Sequence, residues 1–212
     1  MASSMIHMAV AHELNKKLKK DEQKLLIGTI APDISKLIGE RKMISHFAVD
    51  DENIPDLYKF LNVYKNNLND DFVLGYYIHL YTDYLWFKYF IPEINENNYI
   101  TKLDGTVVKC SGKTAYIYIY NDYTNINIDI IDEYDLDLKI FYNELPKFDN
   151  IIKEIPMDKL YLIVNKAGEI IENSKKTKEY VFNMENIHKF ISLCVDIIYS
   201  NLIDLNLCDK GE

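Results

Sequence analysis

Residues 72–90 read FVLGYYIHLYTDYLWFKYF, an apolar run about as long as a bilayer-spanning helix. His79 and Asp83 sit in its middle and Lys88 near its end. An isolated ionisable group at bilayer depth costs several kcal/mol, or roughly that order, unless it finds a partner. The segment therefore predicts a helix buried inside a folded protein, and it obliges that protein to neutralise Asp83. Four residues separate His79 from Asp83, so both project from one helical face about one turn apart. That spacing suits two ligands of one metal ion. It equally suits a core histidine hydrogen-bonded to a core aspartate, and the helix alone leaves both readings open.

The rest of the chain reads as helices around this one. Ile6 to Lys20 carries Ile6, Val10, Leu14 and Leu18 on one stripe, with Lys16, Lys17, Lys19 and Lys20 on the other side. Leu25 to Ile30 is a short apolar run ending at Ala31-Pro32-Asp33. Ile34 to Ile38 continues as a short helix stopped at Gly39. Pro55 to Leu68 is predicted helical, and the helix over 72–90 should end at Pro92. Residues 93–120 are the least regular. Within them, Tyr116 to Tyr120 alternates as a strand does, yet fits the start of a helix as well. Helices are also expected over 122–142, broken near Asp135, and over 157–175 and 184–205. With no internal repeat, low-complexity tract or linker, the expectation is one all-α domain over residues 1–212, a compact multi-helix fold with a small β-hairpin insertion.

Composition narrows the function. The net charge is −9, from 24 basic and 33 acidic residues. This disfavours duplex nucleic acid, whose affinity rests on Lys and Arg contacts to phosphate. Cys110, Cys194 and Cys208 are far apart and odd in number, so neither a cysteine metal site nor a disulfide scaffold is expected. The first residues show no secretory pattern and no transmembrane segment is expected, so the sequence reads as cytoplasmic. Ser111-Gly112-Lys113-Thr114 resembles the end of a phosphate-binding loop, but the glycine required five positions before Gly112 is Val107. A nucleotide-triphosphate loop is rejected.

Only five histidines are present, so their positions carry information. His7 lies on the apolar stripe of the first helix, and His12, rotated by about 140° from it, faces the lysines. His7 is thus the inward candidate and His12 the solvated one. Asp33 alone reads as a turn or helix-cap residue. His46 lies in Ser45-His46-Phe47, where no period is evident, and His188 reads as structural or superficial.

Taken together, His7, Asp33 within GTIAPDI, His46 within SHF, and His79 with Asp83 within GYYIHLYTDYLW resemble the zinc-dependent phospholipase C and single-strand-specific nuclease family, especially its small intracellular bacterial members. The similarity covers about the first 90 residues. Asn121-Asp122-Tyr123-Thr124 also looks like a segment of that branch. The resemblance implies a compact all-α fold. It implies that Asp33, His46, His79 and Asp83 ligate a central metal, that Asp83 bridges to a second ion with His7, and that Asp33 activates water. In the secreted members the mature N-terminus also binds metal; here six residues precede His7, which argues against that contribution. After Asp83 only His188 remains, too few histidines for a third ion.

One or two divalent ions, zinc first, are therefore expected. The function expected is a cytoplasmic metal-dependent hydrolase of a small-molecule phosphate ester, mono- or diester. A hydroxide activated by the metal would attack phosphorus, with Asp33 orienting the water and Trp86 and Asp122 as candidate substrate contacts. The rival is a non-catalytic metal-binding or regulatory module. The oligomeric state is left open.

Overall fold

The computed structural model describes residues 1–48, 54–110, 112–176 and 179–208. Ser111, part of the rejected loop pattern, lies outside them. The fold is mostly α-helical with one small antiparallel sheet. Among the described residues, no helix is long and apolar enough to cross a membrane.

Helix α1 (Ser4–Leu18) starts where Ser3 accepts a hydrogen bond from the Ile6 amide, and it ends at Lys19 in the left-handed region. Helix α2 (Glu22–Ile30) is capped by Asp21 and runs into a 3₁₀ turn, Ala31–Ile34, with Pro32 in its first positions. Helix α3 (Ser35–Ile38) stops at Gly39, whose φ of 71° suits a residue without Cβ. Helices α4 (Lys42–Ser45) and α5 (Leu57–Tyr64) precede the central α6 (Asp71–Leu85). Asp70 caps α6 by accepting from the Phe72 and Val73 amides, both at 3.0 Å.

Helix α6 is buried almost all round, against α1, α2, α5 and α10 (Met184–Asp204). Leu74, Ile78 and Leu80 are fully covered. Such side chains contribute roughly 1.5–3 kcal/mol each when withdrawn from water. The α2–α6 packing depends on two glycines set against each other. A Cβ on Gly75 would lie 2.1 Å from the Leu25 carbonyl oxygen, and one on Gly28 would lie 2.3 Å from that of Phe72. The helices thus meet backbone to backbone. This closeness brings the C-terminal end of α2, with the turn after it, beside the second half of α6.

Pro92 does not end the central helix as expected. A π-helical turn, Trp86–Phe90, carries it into a short helix α7 (Ile91–Ile94), where Pro92 occupies an opening position that needs no amide donor. The expected hairpin is a three-stranded sheet, β1 (Asn95–Glu96), β2 (Tyr99–Thr101) and β3 (Val107–Lys109), with Ile100 opposite Val108. The open question at Tyr116 to Tyr120 is answered by α8 (Gly112–Glu133). Ala115, Ile119, Tyr123, Ile126 and Ile130 are its buried apolar positions, at helical rather than alternate spacing. The break at Asp135 is present, with φ 49°. Helix α9 (Leu160–Glu172) completes the set.

Candidate metal centre

Five side chains from four segments converge beside the α2–α6 crossing. His7 comes from α1, Asp33 from the 3₁₀ turn, His46 from the end of α4, and His79 and Asp83 from α6. His7, His46, His79 and Asp83 are wholly buried, and the Asp33 side chain is 14% exposed. The open side of the cluster is therefore at Asp33.

The hydrogen bonds around the imidazoles fix which nitrogens face inward. His79 Nδ1 lies 2.7 Å from the Thr29 carbonyl oxygen. That carbonyl belongs to the last turn of α2, where helix acceptors run out of partners. A carbonyl only accepts, so Nδ1 carries the proton and Nε2 presents a lone pair. His46 Nδ1 lies 2.9 Å from Ser45 Oγ and 3.2 Å from the Lys42 carbonyl oxygen. Ser45 Oγ itself donates to that carbonyl, so it accepts from His46. His46 Nε2 is again the lone-pair nitrogen. The two Nε2 atoms face each other at 3.1 Å. Two lone pairs at that distance repel unless a proton or a cation lies between them.

The carboxylates close on the same point. Asp83 Oδ2 is 3.7 Å from both His46 Nε2 and His79 Nε2. Asp33 Oδ1 is 3.6 Å from His46 Nε2, and His7 Nε2 is 3.4 Å from Asp83 Oδ1. Ligands bound to one tetrahedral zinc at about 2.0–2.1 Å stand about 3.3 Å apart. The observed spacings of 3.1–3.7 Å bracket that value. His79, Asp83 and His7 form one group able to hold an ion; Asp33, His46 and His79 form another. Among the described residues, five buried side-chain polar atoms lack a hydrogen-bond partner, and four of them are His7 Nδ1 and Nε2, Asp33 Oδ1 and Asp83 Oδ2. Such a concentration of unpaired buried atoms is what an ion or an ordered water could satisfy.

Charge agrees with geometry. Burial pushes His79 down to about 3, with His7 beside it adding to the shift, and it holds His46 well below its ordinary value. Both are neutral at pH 7, the form that ligates metal. Burial alone would raise Asp33, but Lys36 foremost, then His79 and His46, hold it below the usual carboxylate range. Asp83 follows the same pattern: His7, the Met1 amine and Lys42 outweigh its burial.

Two lysines that sequence reasoning passed over stand at this site. Lys36 Nζ is 3.6 Å from Asp33 Oδ1, and Lys42 Nζ is 3.8 Å from Asp83 Oδ2. The N-terminal residues also lie beside it. One helical turn takes up Ser4 to His7, so residues 1–3 fold back over the cluster. The Ala2 amide donates to Asp83 Oδ1 at 3.0 Å, and burial pushes the Met1 amine down to about 5, against the attraction of Asp83. Tyr123 donates to the Met1 carbonyl, and Ser3 donates to Asn127.

The other candidates are engaged in contacts of their own. Asp122 is buried, and its carboxylate accepts from the Tyr180, Val181 and Phe182 amides at 2.9, 2.7 and 3.2 Å. Trp86 is buried among Phe90, Phe182, Phe190 and Tyr123. His12 pairs with Glu22 at 2.6 Å, and His188 joins Tyr134 and Glu133. No family model, curated protein or solved structure matches the chain.

Proposed function

We propose that the cluster binds a divalent metal ion and that the protein is a metal-dependent hydrolase of a phosphate ester, akin to the phospholipase C and nuclease family that its motifs resemble. The observation that carries the reading is the pair of unprotonated Nε2 atoms 3.1 Å apart with Asp33 and Asp83 converging on them. Asp33, His46, His79 and Asp83 supply the principal ion, zinc being the first candidate. His7 with Asp83 Oδ1 supplies a second and weaker position, since the Ala2 amide already occupies that oxygen. A divalent ion held by these residues would supply a Lewis acid that lowers the pKa of water and polarises a phosphoryl oxygen.

The chain's own groups do the rest. The Thr29 and Lys42 carbonyls lock both imidazoles in the ligating tautomer. Asp33, on the open side and held ionised by Lys36, would accept a hydrogen bond from the attacking water and orient it toward phosphorus. The wall formed by α1, α2 and α6 keeps bulk solvent from every other side.

A second reading has its own observation. Four protein ligands suffice to close a tetrahedral zinc, which is the pattern of a structural rather than a catalytic ion. Elemental analysis of purified protein, with Asp83→Ala beside it, tests the site: one or two equivalents are expected in the wild type and a loss in the variant. Hydrolysis of p-nitrophenyl phosphate and of bis(p-nitrophenyl) phosphate by the metal-loaded protein then separates enzyme from module. Absence of turnover on both, with metal bound, refutes the hydrolase reading in favour of the module.

A further inference from the structure

Resting on that phosphoesterase reading, we propose that Lys42, with Lys36 beside it, forms a cationic rim that binds the substrate phosphate and selects a dianionic phosphomonoester over a diester. Lys42 belongs to α4 and Lys36 to α3, and each ammonium lies beside one of the two carboxylates of the cluster. Their side chains remain 21% and 47% exposed, whereas Asp83 and the three imidazoles are closed to solvent.

Lys42 is not an ordinary surface lysine. Its ammonium turns inward to Asp83 Oδ2 and passes 5.9 Å from the centre of the Phe87 ring. As a mere counter-charge for Asp83 it becomes superfluous once a divalent ion binds that carboxylate. Two ammonium groups then stand beside a dication with nothing to neutralise them.

A charge count selects the ligand. The carboxylates of Asp33 and Asp83 balance the two lysines, and one divalent ion would add +2. The loaded site therefore carries +2. A phosphomonoester dianion neutralises it, whereas a diester monoanion leaves a positive charge behind. Charge-assisted contacts to phosphate oxygens are the stronger class of hydrogen bond, and an ammonium serves them as a point charge.

The test measures binding as well as turnover. Metal content is determined first on wild type, Lys42→Met and Lys42→Arg. Each loaded protein is then titrated calorimetrically with inorganic phosphate and with dimethyl phosphate, a diester monoanion. Wild type should prefer phosphate. Lys42→Met should keep its metal and lose roughly 10- to 100-fold in phosphate affinity, the worth of one charged hydrogen bond, with dimethyl phosphate little changed. Lys42→Arg should recover part of the loss. Should Lys42→Met fail to fold, the wild type answers alone: phosphate should protect Lys42 from acetylation by acetic anhydride, read by mass spectrometry. Metal retained with phosphate affinity within twofold of wild type in Lys42→Met, no preference for phosphate in wild type, or no protection of Lys42 each overturns this proposal and leaves the metal site standing. A wild type without metal overturns the phosphoesterase reading and this one with it.

Discussion

Replacing Gly75 by alanine tests whether the helix crossing sets the metal site. The added Cβ would stand 2.1 Å from the Leu25 carbonyl oxygen, where 3.4 Å begins ordinary contact, so one helix must retreat by up to 1.3 Å. The obstructing atom is backbone, which no rotamer change can move aside. Overpacking of this kind costs about 1–3 kcal/mol, and a backbone collision belongs at the upper end. Alanine's better helix propensity returns up to about 1 kcal/mol, so the net loss is about 2 kcal/mol. For a chain of this length, each kcal/mol lowers the melting temperature by about 2–4 °C, which predicts a fall of about 4–8 °C. The same retreat moves His79 and Asp83 away from Asp33, so zinc affinity should fall at least about tenfold, in keeping with the sensitivity of metal sites to ligand placement. Gly168→Ala is the control, because its Cβ would meet nothing nearer than Phe141 Cδ1 at 3.9 Å. It should be neutral or slightly stabilising. Thermal unfolding followed by circular dichroism, with competitive zinc titration, reads both quantities. A Gly75→Ala protein that melts with wild type and holds zinc equally well refutes the reasoning.

Other expectations follow from the same geometry. Zinc at about a thousand times its dissociation constant should stabilise the protein by about 4 kcal/mol and raise its melting temperature by about 8–16 °C; a shift under about 2 °C, on the same scale, would exclude an ion at the orphaned ligands. Metal-free protein should lose stability on acidification. The unfolded chain protonates its histidines near their ordinary value of 6.5, whereas folded His79 does so only near 3 and folded His46 well below 6.5. The unfolded state thus binds more protons below pH 6.5, and stability falls there by up to about 1.4 kcal/mol per pH unit for each histidine. Urea midpoints that stay flat between pH 7.5 and 5 would contradict this. Asp122→Ala leaves three backbone amides without their acceptor and should cost about 3 kcal/mol or more, while metal content stays at wild-type level. Normal stability with impaired phosphate-ester turnover would instead assign Asp122 to substrate.

His79 and Asp83 were legible because two polar side chains at helical spacing are conspicuous within an apolar run. His7 was legible from its place on a stripe. Asp33 and His46 carry no periodic signal, since both leave irregular backbone, and only the resemblance suggested them. The lysines escaped notice because an inward-turned lysine looks like any other in sequence. The i,i+3 interval from Asp33 to Lys36 was the one available hint. Likewise, Gly28 and Gly75 stood in the motifs without revealing that they touch, because such an approach belongs to the pair of helices and to neither alone. At Tyr116 to Tyr120 five residues were too few to separate a period of 2 from one of 3.6; Ala115 and Ile126, outside the window, carry the helical phase.

The solvent-facing edge at Asp33 would also govern how fast an ion held here comes and goes. The other four candidate ligands are sealed inside, and Lys36 and Lys42 stand beside the two carboxylates, where their charge would repel an incoming cation. Loading and release should both be slow. Stripping by a chelator should follow a first-order rate that stops rising with chelator concentration, set by opening of the protein itself. An ion acquired during folding would then be kept through brief metal scarcity, and exchange of one metal for another would take place on the timescale of local unfolding.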